Sequence, residues 1–82
     1  MTAIFKPITS EKAVKLIDIE NTLLFKASRK MSKDEIKEEF EKIFSVKVEK
    51  VRTFIKNNEK FAYIKLKKEN PAIDIATRLG MM

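Results

Sequence analysis

The apolar residues of this chain repeat with two different periods, and the order in which the periods change restricts the folds open to it. Thr22-Leu23-Leu24-Phe25-Lys26-Ala27-Ser28 alternates with period two, placing Leu23, Phe25 and Ala27 on one side of a strand and Leu24, Lys26 and Ser28 on the other. The period then lengthens. Ser32-Lys33-Asp34-Glu35 fits a capping box, with Met31 and Ile36 spaced as a hydrophobic staple. Ile36, Phe40, Ile43 and Phe44 follow as one helical stripe, opposite a face of Lys37, Glu38, Glu41 and Lys42. From Val46 to Lys56 the sequence is β-branched again, but Val46 and Val48 differ in parity from Val51, Thr53 and Ile55, which calls for a bulge near Glu49-Lys50. Asn57-Asn58-Glu59 is a short polar turn. Beyond it, Phe61 to Lys67 alternates with Ala62, Ile64 and Leu66 facing inward, which closes an antiparallel hairpin.

The flanks complete the pattern. Pro7 biases Lys6 towards extended dihedrals, so Ile4 to Ile8 reads as extended, and Thr9 or Ser10 can cap a helix running to about Ile17. Ala13, Val14, Leu16 and Ile17 form its apolar face, with Lys12 and Lys15 pointing elsewhere. Near the other end, Asn70-Pro71 supplies an N-cap and a first-turn proline, Ala72, Ile75, Ala76 and Leu79 make a narrow stripe, and Gly80 can end the helix. Taken in order, these elements predict an α+β fold: a two-layer, plait-like sandwich with an antiparallel sheet packed against helices. The 82 residues suit one domain, residues 1–82, with one modest core.

Composition narrows the function. The chain contains no His and no Cys, so imidazole, thiolate and the usual zinc ligands are missing from any chemistry it could perform. No Gly-rich phosphate loop or paired acid and base is present, so an enzyme is not expected, and neither is a cofactor or a metal. Lys and Arg number 18 against 12 Asp and Glu, giving a net charge of +6 and a standing attraction to polyanions. The charges are spread along the chain rather than gathered on one basic amphipathic helix, which argues for nucleic acid over a membrane surface. No apolar run reaches the roughly 18 residues of a membrane span, so a cytoplasmic protein is expected.

If the inward residues of the strands face the helices, the others form a second sheet face of Lys26, Arg52, Phe54, Lys56, Phe61, Tyr63, Lys65 and Lys67. Cations and aromatics alternate there, as on sheets that hold phosphates by charge and stack exposed bases on rings. The plainer reading is a solvated face on which Phe54 and Phe61 cover a third helix or a loop. A second cluster is carried by loops. Lys6 and Lys12 flank the first cap, and Ser28-Arg29-Lys30 leads into the second helix, both near helix N-termini that favour anions. Glu11, in the first turn of a helix, is explained by its attraction to the positive end of the helix dipole.

The sequence also resembles the universal large-subunit ribosomal protein L23 family, over almost the whole chain. The resemblance is carried by Pro7-Ile8-Thr9-Ser10-Glu11-Lys12-Ala13, Asn21-Thr22-Leu23-Leu24-Phe25, Lys33-Asp34-Glu35-Ile36-Lys37, Phe44-Ser45-Val46-Lys47-Val48 with Val51, and Lys60-Phe61-Ala62-Tyr63-Ile64-Lys65-Leu66. It implies a structural protein that binds large-subunit ribosomal RNA at the rim of the polypeptide exit tunnel, among neighbouring ribosomal proteins, and is monomeric off the ribosome. It implies a place in the RNA interface for Thr9, Lys12, Lys30, Thr53 and Lys60. For Glu11 it implies a part in docking factors that meet the nascent chain, such as the signal recognition particle. Bacterial members carry a long hairpin loop where Lys56-Asn57-Asn58-Glu59-Lys60 is short, and eukaryotic members a long basic N-terminal extension, so an archaeal type fits best.

The residues expected to contact RNA are therefore Lys6, Thr9, Lys12, Lys26, Arg29, Lys30, Arg52, Thr53, Lys56, Lys60, Tyr63, Lys65 and Lys67, with Glu11 as the protein-docking residue. The competing reading is a stand-alone module for single-stranded RNA, because Lys60-Phe61-Ala62-Tyr63-Ile64 faintly echoes the aromatic motif of such domains, though without its glycine.

Overall fold

Capping chemistry sets where the first two helices begin. In the computed structural model, which describes residues 6–8 and 10–79, helix α1 (Glu11–Glu20) follows Ser10, whose hydroxyl accepts a 3.2 Å hydrogen bond from the Ala13 amide. Helix α2 (Lys33–Phe44) begins with the expected capping box: Ser32 Oγ accepts from the Glu35 amide at 3.3 Å, and Glu35 Oε1 accepts from the Ser32 amide at 3.0 Å. Helix α3 (Ala72–Arg78) starts one residue later than Asn70-Pro71 indicated, because Pro71 itself takes the cap position and offers no side-chain hydrogen bond. The missing acceptor comes from far away in sequence: Asn21 Oδ1 accepts the Ala72 amide at 2.6 Å.

Four strands, β1 (Lys6–Pro7), β2 (Thr22–Ala27), β3 (Val48–Lys56) and β4 (Glu59–Leu66), form an antiparallel sheet in the order β1-β2-β4-β3. The α+β architecture expected from the sequence is thus what the structure shows. Strand β3 starts two residues after Val46, and the bulge lies where the parity change required it, between Val48 and Lys50. That one extra residue lets Val48 enter the core while Lys50 and Arg52 both point to the other face. The β3–β4 connection is a two-residue turn at Asn57-Asn58, both at positive φ (52° and 63°), the twist-matched form of a hairpin turn.

The core joins Leu23, Phe25 and Ala27 of β2 and Ala62, Ile64 and Leu66 of β4 to Ile36 and Phe40 of α2 and to Ala72, Ile75 and Ala76 of α3. Phe25 and Phe40 meet edge to face at 5.3 Å, and Phe44 packs on Phe40 at 4.6 Å. Ile43, expected in the same stripe, is 41% exposed, since Phe44 occupies the last core-facing position of the helix. Glu41, expected on the solvated face, turns back to accept the Val48 amide at 2.9 Å and so fixes the entry to β3.

Helix α1 is longer than its pattern indicated. It runs past Ile17 to Glu20 and stops at Asn21, which adopts the left-handed conformation (φ 51°). Its position explains a second departure. Leu24, expected on the outer side with Lys26, is buried, as is Thr22, so β2 is covered on both faces. Lys12, Leu16 and Glu20, at successive turns of α1, border the sheet face opposite the main core. Ile17, one position round the helix, joins the core.

Candidate nucleic-acid interface

The face that α1 borders is the one expected to carry cations and aromatics, and strand register assembles it. Arg52 pairs with Tyr63, Phe54 with Phe61, and Lys50 with Lys65 across β3 and β4. Phe54 stacks on Phe61 at 5.1 Å with the rings 20° apart, and lies 5.4 Å from Tyr63. The Arg52 guanidinium sits 5.7 Å from the centre of the Tyr63 ring, within cation–π range. Phe54 remains 36% exposed despite these contacts, so the ring surface is available to a partner. The plainer reading holds at one margin only, where Lys12 and Leu16 of α1 approach Arg52, Phe54 and Tyr63.

Charge on this face is only partly neutralised. Lys65 pairs with Glu49 at 3.6 Å and Lys26 with Glu59 at 3.1 Å, both exposed pairs of the kind that contribute little to stability. Lys50 and Lys65 stand directly opposite each other, an arrangement that costs folding energy and leaves a positive potential. Lys56, at the hairpin end of the same face, is exposed, as is Lys67 just beyond β4.

The other expected contacts are dispersed. Arg29 and Lys30 are exposed on a tight turn in which the Met31 amide donates to the Ser28 carbonyl at 3.2 Å. Lys60 is half-buried, and its ammonium donates to the Met31 carbonyl, so it braces the loop that enters α2. Thr53 pairs with Ala62 and has the parity of the core side, and its contribution is to the border with α1. Glu11 is exposed in the first turn of α1. The backbone of Lys6 pairs with Lys26, while its side chain, like Thr9 and Gly80, lies outside the described residues. Lys50, Leu16 and Thr22 belong to the assembled face and were not among the expected site residues. The parity change that located the bulge was the signal that could have placed Lys50. Among the described residues no group of acidic side chains is arranged to hold a metal ion, and no helix is long and apolar enough to cross a membrane.

The family model for ribosomal protein L23 matches residues 2–61. The chain is also 47% identical over 79 residues to the large ribosomal subunit protein uL23 of Methanothermobacter thermautotrophicus, covering 95% of this chain and 92% of that one. The chain belongs to the ribosomal protein L23 family. As an L23 protein it is a structural constituent of the large ribosomal subunit. The identity to an archaeal uL23 agrees with the archaeal-type reading of the sequence. The two-residue turn between β3 and β4 leaves this L23 protein no long loop at that hairpin.

Proposed function

We propose that this L23 protein binds large-subunit ribosomal RNA near the polypeptide exit tunnel through the face built by β3 and β4, and presents Glu11 to factors that meet the nascent chain, the signal recognition particle among them. The observation that carries this reading is the register that puts Lys50, Arg52, Lys65 and three aromatic rings on one surface. Cations at strand spacing match a phosphate backbone, and half-exposed rings match bases or riboses, which is how sheets commonly engage RNA. Arg29 and Lys30 extend the contact to the loop before α2, where the helix N-terminus favours anions. Lys12 and Thr53 join at the α1 border and Lys26, Lys56 and Lys67 at the rim of the face, and Lys6, Thr9 and Lys60 are proposed as further RNA contacts without a place on that face. One domain performs this role on cytoplasmic ribosomes, beside neighbouring ribosomal proteins, and is a monomer away from them.

The test is the salt dependence of binding to a folded large-subunit RNA fragment. Replacing Arg52 and Lys56 together with Ala should weaken binding and flatten the slope of log affinity against log salt by roughly one to two units, about one for each phosphate that is no longer neutralised. An unchanged slope would place the RNA on another surface.

A further inference from the structure

Two recesses flank Arg52 and Tyr63 on the proposed RNA face, and their linings differ in kind. One, of about 210 Å³, is lined by Thr22, Lys50, Arg52, Lys65 and Tyr63, with Glu20 on its α1 side. The other, of about 410 Å³, is walled by Leu16, Phe54 and Tyr63 with Lys12, Arg52 and Thr53 at its margins. Arg52 and Tyr63 line both. The larger volume falls within the roughly 300–1,000 Å³ of small-molecule sites, and the smaller falls below it.

From this pairing we infer that the two recesses form one site for a single unpaired nucleotide, with the phosphate in the smaller and the base in the larger. The smaller recess is lined by three cations and one carboxylate, and even with Lys65 paired to Glu49 at 3.6 Å the cations outnumber the carboxylates, so it favours an anion. Lys50 and Lys65, opposed across the strands, gain most from a charge placed between them. Glu20 is an acceptor and suits a ribose hydroxyl rather than the phosphate. The larger recess presents ring and aliphatic surface from Tyr63, Phe54 and Leu16. A base inside a duplex is stacked on its neighbours and cannot reach such a wall, whereas a base turned out of a loop or bulge can. Arg52, already lying against Tyr63, would join the two halves by contacting the phosphate at one side while bordering the base at the other.

The inference rests on the RNA reading of this face and deepens it. Tyr63 is the only tyrosine in the chain, and there is no tryptophan, so its ring protons are an unambiguous reporter. The intact protein is titrated by NMR with AMP, with ribose 5-phosphate and with inorganic phosphate. AMP should shift the Tyr63 ring protons upfield and move the Leu16 and Phe54 amides. The two base-free ligands should move the signals of Thr22, Lys50, Arg52 and Lys65, with Glu20 added for ribose 5-phosphate, and leave those of Leu16 and Phe54 in place. AMP should also bind roughly fivefold to a hundredfold more tightly than ribose 5-phosphate, the worth of one stacked base. Leu16→Glu, or Phe54→Ser where the first variant does not fold, should abolish that difference and leave phosphate binding in place.

Equal affinities for AMP and ribose 5-phosphate, with the Tyr63 ring signals unmoved, would overturn the nucleotide site. If binding of folded RNA still depended on Arg52 and Lys56 in that case, the face would stand as a backbone-binding surface alone. If folded RNA ignored both residues, the face and the nucleotide site would fall together.

Discussion

Asn21 carries more of this structure than any other single polar residue. Its amide nitrogen donates to the carbonyls of Leu66, Lys67 and Asn70 at 3.1, 3.3 and 3.1 Å, its amide oxygen accepts from Ala72, and its backbone carbonyl accepts from Leu66. It also ends α1 in the left-handed conformation, which Asn tolerates better than most residues. One residue thus caps α1 with its backbone, and with its side chain ties the end of β4 to the start of α3. Asn21→Ala removes these side-chain bonds and adds backbone strain, so unfolding in urea should show a loss of about 2–4 kcal/mol with an unchanged slope. Asn21→Asp should be no milder, because a carboxylate would face three carbonyl oxygens where an amide now donates. If Asn21→Asp proved as stable as the native chain, the amide nitrogen could not be the atom that faces those carbonyls. The sequence offered no warning of this role. Asn21 stood between a helical and an alternating pattern, and all its side-chain partners are more than forty positions away.

At the scale of elements, what could be read from the sequence was what is decided locally. The capping box at Ser32 and Glu35, the bulge forced by Val48 and Val51, and the inward set Ala62, Ile64 and Leu66 all follow from contacts within a few residues or from strand parity. The position of α1 was not legible, because an amphipathic helix pattern says which side is buried but not which face of a sheet buries it. That gap hid part of the candidate site as well: Leu16 was assigned to a helix's apolar face, yet it helps to wall the recess beside Phe54. The end of α2 gives a testable case. Ser45 adopts φ 54° there, a region that costs a residue with a Cβ roughly 1–2 kcal/mol and glycine almost nothing. Ser45→Gly should therefore stabilise the protein by about 0.5–1 kcal/mol, after the larger entropy loss of glycine is set against the relieved strain. The measurement is the urea midpoint, and a lower midpoint would mean that Ser45 gains an interaction that offsets its backbone.

Across the whole molecule, helix α1 separates two proposed roles. Its Lys12, Leu16 and Glu20 side borders the aromatic and cationic face, while Glu11 is exposed at its first turn. A net charge of +6 draws the protein towards RNA as a body, and an exposed carboxylate is poorly suited to that partner. Nothing in the fold requires Glu11 beyond its favourable position at the helix start, worth about 0.3–1 kcal/mol. Glu11→Ala should accordingly leave the affinity for folded RNA and its salt slope unchanged, and lower stability by no more than that amount. If Glu11 also serves as a docking residue, ribosomes carrying the variant should recruit less signal recognition particle in co-sedimentation at matched ribosome concentration. Glu11→Gln separates the two roles further, since it keeps the size of the side chain and removes the charge a basic docking partner would seek. Equal recruitment by native, Glu11→Ala and Glu11→Gln ribosomes would leave Glu11 with its place at the helix dipole and nothing more.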